Sequence, residues 1–276
     1  MPDYRARNRI IAEICGKSNF VKVSAIGKSL CGREISLLEA GRNADILLCG
    51  GFHGMEYLTA LCLLKFAEEL VSVGKNAAIV PCANPDGVEI AVHGKKAAGK
   101  YSGLVDSLCQ NPKSCWQANA RGVDINHNFN AGWKELKRRE LELGIISPSP
   151  TRFGGNFPES EPETKALVSL CERKNYKLAV ALHSQGREIY CQFGGETPES
   201  SFHLAEELSK ISGYAVSEPE QIAVGGGFKD WFIERFKKPA LTIEIGLGKN
   251  PLPLSDLGTE YPIVRKMLLK CLEYNI

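Results

Sequence analysis

The sequence predicts an α/β fold, a largely parallel or mixed sheet covered by helices on both faces. Short apolar runs suited to buried strands recur at Ile46–Cys49, Ala77–Pro81, Leu178–Leu182 and Ala240–Ile245, each ending near polar or glycine-rich residues. Helical spacing of apolar residues fills Tyr57–Val73, Glu161–Lys174, Ser201–Ser212 and Phe228–Phe236, and a terminal helix is expected from Tyr261 to Glu273. Strands that alternate with helices in this way build sheets of that kind. No repeat, low-complexity stretch or interdomain linker divides the 276 residues, so a single catalytic domain is expected over 1–276.

Bulk composition narrows the classes of partner. With 43% hydrophobic and 24% charged residues the chain reads as an ordinary globular protein, and a net charge of +2 exerts no general pull on nucleic acid or anionic membrane. A small substrate is expected, with no nucleic acid and no membrane; the oligomeric state is not encoded in any visible feature. The N-terminal segment has charges spread through it and lacks the apolar run of a signal peptide or anchor, which points to the cytoplasm. The ten cysteines are scattered without a CxxC pair and are expected to be reduced, structural thiols.

Along the chain, the first strand runs into Gly50-Gly51-Phe52-His53-Gly54-Met55-Glu56 and then the apolar helix from Tyr57. A strand-to-helix turn lets His53 and Glu56, three residues apart, point at one ion, and an imidazole with a carboxylate suits zinc. Alone, this HxxE reads equally as a helix-start histidine with a capping glutamate. The segment from Gly94 to Asn130, rich in Gly, Lys, Ser and Asn, reads as a long surface excursion. Of the five histidines, His183 is the best third ligand, because it closes a buried run and is followed by polar Ser184-Gln185-Gly186. Catalytic zinc keeps three protein ligands and an open fourth place.

Glu244 lies in the apolar ALTIEIG run, where burial would raise its proton affinity toward that of a general base. A structural carboxylate paired with Arg or Lys is the alternative there. The triple glycine Gly225–Gly227 lacks the Lys and Ser/Thr of a phosphate loop and is expected to be a turn bordering the site. The Lys134–Arg139 run, alternating with glutamates, reads as a solvated helix face, and His93 and His203 as ordinary surface or helix histidines.

Taken in order, HGME, RGVDINHNF, HSQG and TIEIG resemble segments of the zinc carboxypeptidase family, over about Ile46 to Pro253. The resemblance implies a mixed, mostly parallel eight-stranded sheet flanked by helices. It also implies one Zn2+ per chain on His53, Glu56 and His183, with Glu244 activating the water and passing its proton to the leaving amine. Digestive members bind a terminal carboxylate through an Asn-Arg pair, which here reads Asn126-His127. Histidine does not replace an arginine fork for carboxylate capture, so C-terminal trimming is not the expected activity. The family's carbonyl-polarising arginine aligns loosely with Gln117, with Arg121 either a substitute or a solvated loop residue. No tyrosine stands where the family's substrate-capping one should, and Tyr190 reads either as an aromatic contact for the substrate or as a strand residue.

HSQGREIYCQF, GGFKDWFIERFKKPALTIEIG and GKNPLPLS resemble more narrowly the γ-D-glutamyl-L-diamino acid endopeptidases, which cut murein peptides between D-glutamate and the diamino acid. Carboxylates of such muropeptides would be bound by Arg121, Arg152, Arg187 and Asn126. The alternatives are a C-terminal metallocarboxypeptidase or small N-acyl amino acid deacylase, in which His127 or a loop arginine captures the carboxylate, and a non-catalytic binding module on the same scaffold. The lack of a wall-binding module and export signal favours cytoplasmic muropeptide recycling or a sporulation role.

Overall fold

Successive side chains of a strand point to opposite faces of the sheet, and the computed structural model, which describes residues 2–274, shows what covers each face. In chain order the elements are α1 (Tyr4–Lys17), β1 (Val21–Lys28), β2 (Glu34–Ala40), β3 (Ile46–Cys49), α2 (Tyr57–Val73) and β4 (Ala77–Val80). There follow α3 (Pro85–His93), α4 (Ser102–Leu108), α5 (Trp133–Glu142), α6 (Pro162–Lys174), β5 (Leu178–His183) and β6 (Glu188–Tyr190). The remainder is α7 (Glu199–Ser212), β7 (Ala215–Val216), α8 (Phe228–Phe236), β8 (Ala240–Glu244) and α9 (Leu257–Cys271).

The eight strands form one sheet in the order β1-β2-β4-β3-β5-β8-β6-β7. Its centre, β4, β3, β5 and β8, is parallel, whereas β1 and β2 join antiparallel at one side and β6 runs antiparallel to β8. Ile46 and Leu48 of β3, Val180 and Leu182 of β5, and Ile243 of β8 meet the apolar sides of α1, α2, α7 and α9. One residue out of phase, Leu47, Cys49, Ala179, Ala181 and Ala240 face α6 and α8. The alanines on that second face leave room for Phe228, Trp231 and Phe232 of α8. Burial on both faces explains the continuous apolar runs by which the central strands were legible, each large side chain contributing about 1.5–3 kcal/mol.

The outer elements carry weaker patterns. β1 is exposed over most of its length, and β6 and β7 have three and two residues, too few for any periodicity to register. Helix α9 begins at Leu257, a turn earlier than expected, with Pro262 inside it. The excursion from Gly94 to Asn130 is not an open surface loop. It contains α4, and Ala98, Val105, Trp116, Ala118 and Ala120 pack with Ile90 into a small core of their own. Within it Cys109 and Cys115 form a disulfide, which corrects the expectation of reduced thiols throughout. The turn at Pro112–Ser114 brings the two together, so cysteine usage gives no support to a reducing compartment. Cys49, Cys62, Cys82, Cys171, Cys191 and Cys271 are free and buried, as small hydrophobes. No helix of the described residues is long and apolar enough to cross a membrane.

One buried acid stands apart from the site. Glu163, on α6, accepts from the Leu30 and Asn119 nitrogens, and burial pushes its carboxyl up to about 8. Since this folded value lies above the unfolded one, its contribution to stability is fully present below about pH 4.5 and is lost as pH rises through about 8. Urea unfolding across that window should show stability falling with pH, and Glu163→Gln should flatten the fall. An unchanged slope in the variant would show that another group is responsible.

Candidate metal centre

Three adjacent parallel strands, β3, β5 and β8, end on the same side of the sheet, where connecting loops converge. β3 continues through Gly50 and Gly51 to His53, β5 ends on His183, and β8 ends on Glu244. The loop after β3 is held closely. Gly54 N–H donates to the Gln117 carbonyl at 3.0 Å, and a Cβ at Gly54 would lie 2.4 Å from the Gly87 carbonyl oxygen, so only glycine fits.

Glu56 occupies the N-cap position of α2, yet its side chain makes no capping bond. Instead Oε1 lies 2.7 Å from His53 Nδ1 and Oε2 lies 3.1 Å from His183 Nδ1. A helix-capping glutamate is therefore not what this residue is. One donor atom each from His53, Glu56 and His183 falls within 4.8 Å of the others, and His183 and Glu56 are buried. Asp124 completes the arrangement from behind, its Oδ1 lying 3.1 Å from His53 Nε2. That contact puts the proton of a neutral His53 on Nε2 and leaves the Nδ1 lone pair turned toward Glu56 and His183. The Phe52 ring stacks on His183 at 5.0 Å. Two imidazoles and a carboxylate, converging and oriented from outside, fit zinc.

The charges are strongly coupled to burial. Burial opposes ionisation of Glu56, but His53 and His183 prevail and hold it at about 2. Asp124 is likewise buried, and His53 and His127 hold it well below the usual carboxylate range. Glu244 goes the other way: burial, and then the Glu56 charge, raise it well above the ordinary glutamate value. Its carboxyl makes no hydrogen bond among the described residues. A carboxyl of high proton affinity beside such a trio can take and return a proton.

The other residues singled out in the sequence scatter. Gln117 touches the centre through its carbonyl, which also accepts from Asn84. Arg121 grips buried Glu161 with Nε and Nη2, both at 2.8 Å. Asn126 Oδ1 accepts from Phe228 N–H at 3.0 Å, tying this segment to the start of α8. His127 is buried against Glu140 at 3.3 Å and presents no side chain to a ligand. Arg187, which precedes β6 with a φ of 54°, turns its side chain to Glu260 on α9. Arg152 donates its backbone N–H to Asp124 Oδ2 at 3.1 Å, and its guanidinium meets exposed Glu220 at 3.2 Å. Tyr190 donates its hydroxyl to Glu188 at 2.6 Å.

Gly225–Gly227 forms the turn into α8, against Asn126. His93 pairs with Asp3 and His203 with Glu199, both at the surface. The Lys134–Arg139 face is not wholly solvated, since Lys137 pairs with buried Glu140. Sequence reasoning missed Asp124, which meets His53, and Glu188, which pairs across from Glu244. The first stood inside the quoted RGVDINHNF segment, whereas the second needs strand register to be seen.

The family described as zinc carboxypeptidase matches residues 11–263 of this chain. Gamma-D-glutamyl-L-diamino acid endopeptidase 1 of Lysinibacillus sphaericus is 31% identical over 280 residues, covering 94% of this chain and 69% of its own. Bovine thrombin-activatable fibrinolysis inhibitor, solved with tick carboxypeptidase inhibitor, superposes with a TM-score of 0.74 at 21% identity, covering 97% of this chain and 95% of its own. Murein-tripeptide amidase MpaA from Escherichia coli O157 gives 0.59 at 23% identity, covering 92% of each chain. These two likenesses are of fold.

Asp124→Asn keeps the shape behind His53 while removing the charge that orients it. Zinc affinity, measured by chelator competition, should fall by about 10–100-fold with the fold intact. Wild-type affinity in the variant would show that His53 is oriented by other means.

Proposed function

This chain belongs to the zinc carboxypeptidase family and is a zinc-dependent peptidase; from that premise we propose that it hydrolyses the γ-D-glutamyl–diamino acid amide bond of murein peptides. The observation that carries this reading is the 31% identity to a γ-D-glutamyl-L-diamino acid endopeptidase across 94% of the chain. The burial of His127 against Glu140 adds to it, since the residue that follows Asn126 offers neither a guanidinium nor an accessible imidazole to the terminal carboxylate of an ordinary peptide.

In this reading His53, Glu56 and His183 hold one zinc ion per chain, with Asp124 orienting His53. Zinc held there supplies the Lewis acidity that lowers the pKa of water and polarises the amide carbonyl. Glu244 takes the proton from the attacking water and delivers it to the leaving nitrogen, a role its raised proton affinity suits. Arg121 and Arg187 are spent on buried Glu161 and Glu260. Arg152 is left as the guanidinium for a substrate carboxylate, because its partner Glu220 is exposed and readily exchanged. Asn126 Nδ2, which makes no hydrogen bond among the described residues, is a further donor for a substrate oxygen.

Zinc-loaded protein should release diaminopimelate from L-Ala-γ-D-Glu-meso-diaminopimelate and leave α-linked C-terminal peptides nearly untouched. Cleavage of the α-linked peptides alone would overturn the proposed substrate. Glu244→Gln should bind zinc as the parent does and lose turnover by at least about 10²-fold. Loss of zinc in that variant would instead make Glu244 a ligand.

A further inference from the structure

β6 runs antiparallel to β8 with Glu188 directly opposite Glu244 and Tyr190 opposite Thr242. β8 in turn pairs with β5 so that His183 lies beside Glu244. Side chains at paired positions share a face. One row therefore crosses three strands as His183, Glu244 and Glu188. Ile189 and Ile243, one residue out of phase, are buried in the core on the opposite face.

Glu188 is half-buried, and its carboxylate accepts the Tyr190 hydroxyl at 2.6 Å. It lies back over Gly186, where a Cβ would come within 3.1 Å of its Oε2. Its neighbour Arg187 is turned to Glu260, and Lys229 is bonded to the Gln192 carbonyl and to Asp230. No cationic side chain of the described residues pairs with Glu188. With no cation of the described residues to answer it, the complement of Glu188 belongs to the substrate. The row also gives direction. The acyl carbon must meet the metal ligands on the His183 side, and Glu244 hands its proton to the leaving nitrogen, so the leaving residue extends past Glu244 toward Glu188.

We infer that Glu188 is a specificity-determining residue that receives an ammonium carried by the side chain of the leaving residue, with Tyr190 as the positioning residue that fixes its carboxylate. This rests on the proposed murein substrate, whose diamino acid bears such an ammonium a few bonds beyond the scissile nitrogen. The same rule would favour lysine over an isosteric apolar residue, whichever amide bond is cut.

The test compares kcat/KM for L-Ala-γ-D-Glu-L-Lys and L-Ala-γ-D-Glu-L-norleucine, and for α-linked peptides ending in the same two residues. Zinc-loaded wild type should prefer lysine by about tenfold or more, as a charge-assisted hydrogen bond predicts. Glu188→Gln should bring the ratio to about one, with the loss in KM, and Tyr190→Phe should narrow it without abolishing it. A wild-type ratio near one, or an unchanged ratio in Glu188→Gln, overturns the role of Glu188. If only α-linked peptides are cut, yet with the lysine preference and its loss in Glu188→Gln, then Glu188 stands and the γ-D-glutamyl substrate falls.

Discussion

The centre depends on one buried charge, the carboxylate of Glu56. It is 3% exposed at the start of an apolar helix, where an isolated ion would be very costly. Both of its oxygens are therefore answered by imidazoles, one delivered by a loop and one by a strand end. Each imidazole needs its own support. Asp124 holds the far nitrogen of His53, and Phe52 lies flat against His183. Phe52 also touches Phe228 at 5.6 Å, which carries the support into the aromatic packing beneath α8. The His53, Glu56 and His183 cluster is thus the end of a chain of contacts that begins in the core.

Sheet topology explains how residues far apart in sequence reach this point. β3, β5 and β8 are neighbours, parallel, and buried on both faces, so their C-terminal ends are rigid relative to one another. The antiparallel entry of β6 beside β8 brings a new loop to the same end without adding a crossover helix. Asn126 bonds to the Phe228 amide, and Arg152 bonds to Asp124 through its backbone, so two further segments are fastened to the rim.

What was legible in the sequence follows from the same physics. Ile46–Cys49, Leu178–His183 and Tyr57–Val73 announce themselves because burial on both faces, or on a broad helical stripe, demands continuous apolar residues. His53, Glu56, His183 and Glu244 were visible as polar residues at the ends of such runs. β6 and β7 were not, because two or three residues carry no period, and Glu188 acquires meaning only from its register with Glu244. His127 misled for a related reason. Its place beside Asn126 suggested a ligand contact, but a 3₁₀ turn over Ile125–His127 sends its ring inward to Glu140.

The mixed sheet has a consequence for how this molecule can change. On one side of β8 stands a strand that ends on His183, and on the other a three-residue strand that brings none of the clustered imidazoles. Glu188 and Tyr190 share the face of Glu244, while the intervening Ile189 anchors the core. Substitutions at 188 and 190 accordingly leave Ile189 and the His53, Glu56 and His183 cluster in place, so, on the role inferred for Glu188, substrate preference can change in a lineage while that cluster is kept.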